Sequence, residues 1–380
     1  MFPLLSKKKN KNLSLIIDIQ SGLVRGALVS LDPGGVPHIL YIASHLLQHK
    51  EEPDGSYLTS TMLKAVEEVV NRIALEGKAP NNIHYVMSSP WVISQSKTIK
   101  IHYEKETEIT KGIIDEIVEG EREGFMDKFR KGNFSKEYEF DLVFIEQKVF
   151  DVRLNGYSVQ DYKGKRTKDL EVSFAVTTSS KEILEKIRSS ISKAVGISHE
   201  AYHSALLLQY SALRSLVGNR DEYISLHVHS ELTDIVVVKR GVSSYLASFP
   251  FGTADLLRKM SKDMKSSEET VKSLISMYGD GKLETSEEEK VKKILSPTLL
   301  DWQKKCLESL GSIGEKTILP RLVYLSAHAY FDLFKDTLIE TQFEVLPFDE
   351  ELVDKAVIFE KGFDKSQLVG MYALALKNMV

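Results

Sequence analysis

The feature that most constrains this chain is a repeat. Tyr223–His229, Thr233–Lys239 and Val242–Phe249 read as three strands, separated by short turns and followed by a helix after Pro250-Phe251-Gly252. The strands are short apolar or alternating runs rich in Val, Ile and Tyr, with glycine and polar clusters between them. The N-terminus repeats the pattern: strands at Leu13–Asp18, Val24–Leu31 and Pro37–Leu47, turns at Gln20-Ser21-Gly22 and Asp32-Pro33-Gly34-Gly35, then a helix over Thr59–Glu76. Two β-turn-β-turn-β-helix units half a chain apart predict a duplicated α/β fold with a cleft between the copies.

Composition narrows the function classes. The 380 residues suffice for two or three domains with real cores, and 42% hydrophobic with 27% charged residues is ordinary for a soluble globular protein. A net charge of -4 gives no global pull toward nucleic acid, and none is expected as a partner. The single cysteine, Cys306, excludes an internal disulfide and a cysteine-based zinc site. No apolar run reaches the roughly 18 residues that span a bilayer, so a cytoplasmic protein is the expectation. Residues 1–12 read as a disordered basic tail, in which Phe2, Leu4, Leu5 and the lysines through Lys11 offer a weak membrane-surface contact.

The first hairpin carries a candidate ligand group. Leu15, Ile16 and Ile17 make a buried strand, so Asp18 is a carboxylate at the end of an apolar run, costly there unless it meets a cation or donors. The turn N–H groups beside it suit a phosphate. Further on, strands are expected at Ile83–Ser88, Leu142–Phe150 and Leu170–Thr177, and helices at Glu108–Gly124 and Lys181–Val195, the latter capped near Gly196. Arg153–Tyr157 reads as a linker. His199, Tyr202 and His203 are placed on a helix with Leu206, Leu207 and Leu208, and Trp302 and Leu307 on a surface-packed helix. Met260, Met264, Met277 and Met371 are expected in the core.

Strand, Asp18-Ile19-x-Ser21, hairpin, and a second copy with Thr233-Asp234-Ile235 together resemble the actin-like ATPase superfamily. The branch most similar holds the cell-division protein FtsA and the type IV pilus protein PilM. That resemblance implies a duplicated actin-like (ribonuclease H-like) fold with an inserted SHS2-like subdomain, whose pattern is met by Asp151, Asn155, Gly156, Tyr157, Gly164, Leu170 and Val172. The boundaries it implies are domain I over 13–86 and 179–220, the SHS2-like subdomain over 87–178, domain II over 221–261 and 321–380, and a helical small subdomain over 262–320.

The resemblance also assigns a nucleotide cleft. It comprises Asp18, Gln20, Ser21 and Gly22 in the first phosphate loop, His227, His229, Thr233 and Asp234 in the second, Gly252 beyond it, and Ser326, Ala327 and His328 at the adenosine motif. Departures cluster there. Gln20 replaces the glycine that admits phosphate to the backbone, His227 and His229 replace the second loop's Asp and Gly, and Ala327-His328 replaces Gly-Gly. Lys272 and Ile275 fall where an adenine contact is expected. The cofactor is left open, ATP with Mg²⁺ being implied only if the cleft still works, and no catalytic residue is assigned. His227 and His229 share one strand face, but no third ligand is evident and no metal site is expected.

The resulting expectation is a cytoplasmic scaffold at the inner face of the cell membrane, with lost or weak ATP hydrolysis. Its partner would be a membrane-anchored division or pilus protein bound through the SHS2-like region, with self-association as a further expectation. A functional ATPase of the same branch is the alternative, and a sugar- or acetate-type kinase ranks third.

Overall fold

Three consecutive hairpin-linked strands, β1 (Leu13–Ile19), β2 (Leu23–Ser30) and β3 (His38–Leu46), open the chain and precede α1 (Gly55–Leu75). The coordinates are a computed structural model that describes residues 12–379 apart from 33, 49–53, 132–140, 197–198, 219, 315–317, 328 and 349. Residues 1–11 of the basic tail and His328 thus lie outside the described residues. The chain continues through β4 (Asn82–Met87), β5 (Val92–Glu108), α2 (Lys111–Lys131), β6 (Leu142–Leu154), β7 (Tyr157–Ser158), β8 (Arg166–Ser180) and α3 (Lys181–Ser192). Then follow β9 (His199–Ser204), α4 (Ala205–Leu216), β10 (Tyr223–Val228), β11 (Thr233–Lys239), β12 (Val242–Phe249), α5 (Thr253–Met264), α6 (Glu268–Gly279) and α7 (Thr285–Gly314). The C-terminal part holds β13 (Leu322–Ala327), α8 (Phe331–Ile339), β14 (Glu344–Pro347), α9 (Glu350–Ala356), β15 (Ile358–Phe359) and α10 (Gln367–Lys377).

The duplication is exact in strand order. One sheet runs β3-β2-β1-β4-β9, with β15 added beside β3, and another runs β12-β11-β10-β13-β14. In both, the first three strands pair antiparallel and the first pairs parallel with the fourth. Helices α4 and α10 lie between the two sheets, and Leu207, Leu208, Val369 and Tyr372 share one core with Ile16, Val29, Val236 and Val238. The outer faces are covered separately, by α1 and α3 on one sheet and by α5 through α8 on the other. Because β1 and β10 are central strands, their carboxyl ends meet at the middle of the molecule, where ligands of open α/β sheets bind.

A third sheet, β5-β8-β6-β7, is packed on one face by α2 through Ile114, Val118, Val172 and Phe174. Its other face carries small hydroxyls: Ser94 lies 2.9 Å from both Thr177 and Ser204.

Several local expectations are corrected. Residues 92–108 form a 17-residue strand rather than leading into a helix at Glu108, and α2 begins at Lys111 and runs to Lys131. Arg153–Tyr157 is not a linker: β6 continues to Leu154 and turns through Asn155 (φ 49°) and Gly156 (φ 85°), a left-handed pair that fits a tight hairpin. Residues 199–204 are strand β9, pairing parallel with β4, and helix α4 starts only at Ala205. Helix α3 ends at Ser192 with Lys193 as its cap, so Gly196 does not cap it. Trp302 is fully buried rather than surface-packed, because its indole fills the core under α8 against Phe334. Met277 is 37% exposed, outside the two cores that hold Met260 and Met371 respectively. Ile275 is core and Lys272 pairs with Glu268 along its own helix.

Candidate functional site

The two hairpins of the repeat touch. Between β1 and β2 the chain turns at Gln20-Ser21-Gly22, and between β10 and β11 at His229-Ser230-Glu231-Leu232. A Cβ placed on Gly22 would lie 2.2 Å from the Cβ of Ser230, so the turns are in van der Waals contact. The Glu231 N–H donates to Ser21 Oγ at 3.1 Å, and the side chains of Gln20 and His229 meet at 3.3 Å.

Asp18 is fully buried behind this contact. It stands directly opposite Arg25 in the β1–β2 register, and Arg25 donates to its Oδ2 at 3.1 Å. Gln20 Nε2 donates to the same oxygen at 2.8 Å, while Oδ1 has no hydrogen-bond partner among the described residues. Burial raises the Asp18 pKa, and Arg25, Gln20 and His229 oppose that rise by favouring the carboxylate.

His229 occupies the middle of the site with no solvent exposure. Its Nε2 is 2.9 Å from Asp234 Oδ2, and its Nδ1 faces Gln20 Oε1. The Gln20 amide is oriented by its donation to Asp18, so each ring nitrogen of His229 faces a side-chain oxygen. Ser248 Oγ donates to Asp234 Oδ1 and sits 2.9 Å from Ser89 Oγ. The result is a chain, Arg25–Asp18–Gln20–His229–Asp234–Ser248, buried from Asp18 to Asp234, that joins the two halves.

The neighbouring backbone donors are also engaged. Helix α5 starts beside the second turn, and its Thr253 and Ala254 N–H groups donate to the carbonyls of His229 and Ser230 at 2.9 and 2.8 Å. A Cβ at Gly252 would lie 2.2 Å from the Ser230 carbonyl oxygen, which explains the glycine there. The donors of a helix N-terminus that could hold phosphate are therefore spent on the protein's own backbone. Glu231 adds a carboxylate at this spot, gripped by Arg258 through two bonds of 3.0 and 2.7 Å. Thr233 Oγ1 donates to the Phe251 carbonyl at 2.7 Å and accepts from Trp302 Nε1 at 3.0 Å.

Of the expected cleft residues, Gln20, His227, Ser326 and Ala327 instead border a cavity of about 590 Å³. Ser326 hydrogen-bonds His227 Nδ1. Among the described residues the cavity walls include Phe331 and Phe348, the cations Arg25 and Lys365, and no carboxylate. Asp18, Ser21, Gly22, His229, Thr233, Asp234 and Gly252 do not line it; they build the hairpin contact. Among the described residues no group of three or more His, Cys, Asp or Glu side chains is placed to hold a metal.

The sequence reading gave no role to Arg25, Gln209 or Tyr372. Arg25 had a signal, since Asp18 and Arg25 flank the turn symmetrically and must face each other in a hairpin. Gln209 of α4 donates to the Tyr372 hydroxyl of α10 at 3.4 Å, both buried, and nothing local in the sequence marks that pair. Burial, and secondarily the Asp18 charge, raises the Tyr372 pKa well above its ordinary value.

No family model and no curated protein matches this sequence. Solved structures do. A chain of a PilM–PilN type IV pilus biogenesis complex is similar with a TM-score of 0.65 and 16% identity, over 97% of each chain. A Bacteroides thetaiotaomicron protein with an actin-like ATPase fold is 11% identical over 98% of this chain and 99% of its own, TM-score 0.42. The ethanolamine utilization protein EutJ from Carboxydothermus hydrogenoformans is 11% identical over 95% of this chain and 89% of its own, TM-score 0.46. With the matched strand orders of its two halves, the chain has a duplicated actin-like fold, in the form seen in the PilM–PilN complex.

Proposed function

We propose that this protein is an actin-fold scaffold of the FtsA/PilM kind, assembling with a membrane-anchored partner in cell division or type IV pilus assembly without ATP hydrolysis. The observation that carries the reading is the contact between the two hairpin turns. A phosphate chain held by both loops needs the space between them, and here Gly22 abuts Ser230 while Gln20 and His229 fill the remainder. His227 stands where the acid that holds Mg²⁺ through water would be. In this reading Asp18, Gln20, Ser21, Gly22, His229, Thr233 and Asp234 are a retired nucleotide site turned into a structural joint.

The partner side rests on the fold it shares with a structure named for a two-protein complex. The sheet β5-β8-β6-β7 with α2 corresponds in this proposal to the SHS2-like region and supplies the partner surface. Photo-cross-linkers at Asp115 and Glu116, on the exposed side of α2, should capture a membrane-anchored polypeptide in cells; capture of soluble proteins alone would count against it.

The cavity beside the joint favours a second reading, in which the protein binds ATP as a working ATPase. Calorimetry of ATP with Mg²⁺, backed by thermal shift, separates the two. A ligand at about 100 times its Kd stabilises by about 2.7 kcal/mol, a shift that is easily seen. The scaffold reading expects neither heat nor shift at millimolar nucleotide, and clear Mg²⁺-dependent binding with phosphate release overturns it.

A further inference from the structure

A second pocket, of about 260 Å³, lies where the β11–β12 turn meets the sheet β5-β8-β6, away from the hairpin joint. We propose that it is an oxyanion site, taking a phosphate group or a carboxylate. Among the described residues its lining includes Arg153, Lys239 and Arg240 against one carboxylate, Glu171, with the hydroxyls of Thr98 and Ser173 also present.

The cations are held in place. Arg153 Nε donates to Asp151 at 2.6 Å and its Nη2 to the Arg240 carbonyl at 3.2 Å, which fixes the guanidinium plane at the pocket. Lys239 Nζ donates to the Ile318 carbonyl at 2.6 Å, which anchors its ammonium group beside the pocket. Glu171 is drawn to Lys100 at 3.1 Å and stands 4.0 Å from Arg240, too far for a hydrogen bond. Thr98 and Ser173 lie 2.8 Å apart, an arrangement that can offer one hydroxyl proton to a guest.

Arg240 gives a second, independent indication. It adopts a left-handed backbone (φ 52°) followed by Gly241 (φ 71°), the pair of conformations of a tight hairpin turn. Asn or Gly occupies the first of those positions with less strain than Arg. An arginine kept there has its guanidinium carried to the pocket by a turn that its own backbone disfavours, as happens at binding sites. The volume is below that of pockets for drug-sized ligands, and suits one phosphate or one acidic side chain. Because the lining comes from two separate sheets, an occupant would tie the inserted sheet to the β11–β12 turn.

The test is thermal shift of the full chain with inorganic phosphate and, separately, with a hexaglutamate peptide, each against sodium chloride at equal ionic strength. Stabilisation by phosphate beyond chloride identifies a free or protein-borne phosphate as the guest, and stabilisation by the peptide alone identifies a carboxylate on a polypeptide. In either arm Arg240→Asn, which suits the turn and should fold at least as well, weakens the apparent affinity about ten-fold by removing a charge-assisted donor. Lys290→Asn, an equal charge change on exposed α7, leaves it unaltered. The proposal fails if neither probe exceeds chloride, or if both variants lose affinity equally.

Discussion

Gly22 packs directly on Ser230, with no room for a Cβ on Gly22. The backbone of Gly22 is not in the left-handed region, so the constraint is steric and comes from the other hairpin. Gly22→Ala should therefore push the turns apart and cost about 1–3 kcal/mol, the usual range for overpacking. Ser230→Gly removes the opposing Cβ and a buried hydroxyl that has no partner among the described residues, and should restore most of that loss in the double variant. Urea denaturation of the four proteins measures the coupling, and additive losses would mean that the turns do not bear on one another.

The same joint makes a simple reversal of the phosphate loop costly. His229→Gly returns the residue expected of a phosphate loop, but it strips the buried Asp234 of the imidazole 2.9 Å away and leaves a void. Leaving a buried polar group without its hydrogen-bond partner costs about 1–3 kcal/mol, and the void adds to that loss. The variant should be strongly destabilised and still show no Mg²⁺-dependent ATP binding, since His227 remains where the acid would be. A stable His229→Gly protein that binds nucleotide would show that His229 merely plugs a working site.

Arg25 should be required by Asp18 in a pH-dependent way. Burial raises the Asp18 pKa above the ordinary 3.8, so its ionised form is the one that strains the fold, and Arg25 is the main group that relieves it. A raised carboxyl contributes full stability below pH 3.8 and loses it as pH rises through the folded-state value. Arg25→Met should thus be close to wild type in acid and weaker by about 3 kcal/mol at neutral pH. Asp18→Asn in the same chain should remove the pH dependence of that difference. Equal losses at all pH values would mean that Arg25 acts through packing alone.

The fold was legible where local signals were strong. Each strand triplet is bracketed by turns that cannot continue a strand, so both copies of the repeat could be placed from the chain alone. The strand β5 was hidden because its exposed positions include Gln95, Lys100, His102 and Glu104, which carry no β signal, while its partners on β8 are 58 to 87 positions away. Strand β9 runs into α4 without a turn between Ser204 and Ala205, so the apolar helical period was read back into it. At the site, Asp18 and the altered loop positions stood out in the sequence. What could not be read was that Gln20 and His229, 209 residues apart, would close on each other. That contact depends on how two sheets pack around α4 and α10, and no local pattern encodes it.

A histidine pair at the seam of the inserted sheet should govern stability in mild acid. His84 Nδ1 on β4 is 3.2 Å from His203 Nε2 on β9, and His203 Nδ1 is 3.7 Å from Glu146 on β6. Burial, and then the neighbouring His203 ring, pushes His84 down to about 4 from the ordinary 6.5. The unfolded chain therefore takes up a proton that the folded chain refuses over that window. Stability should be full above pH 6.5 and fall as pH drops toward about 4, by at most about 3 kcal/mol from this residue. Carboxylates titrate in the same range, so the informative quantity is the difference between wild type and His84→Gln, which cannot protonate. The urea midpoint of His84→Gln should fall less steeply between those pH values, and parallel profiles for the two proteins would remove His84 as the cause.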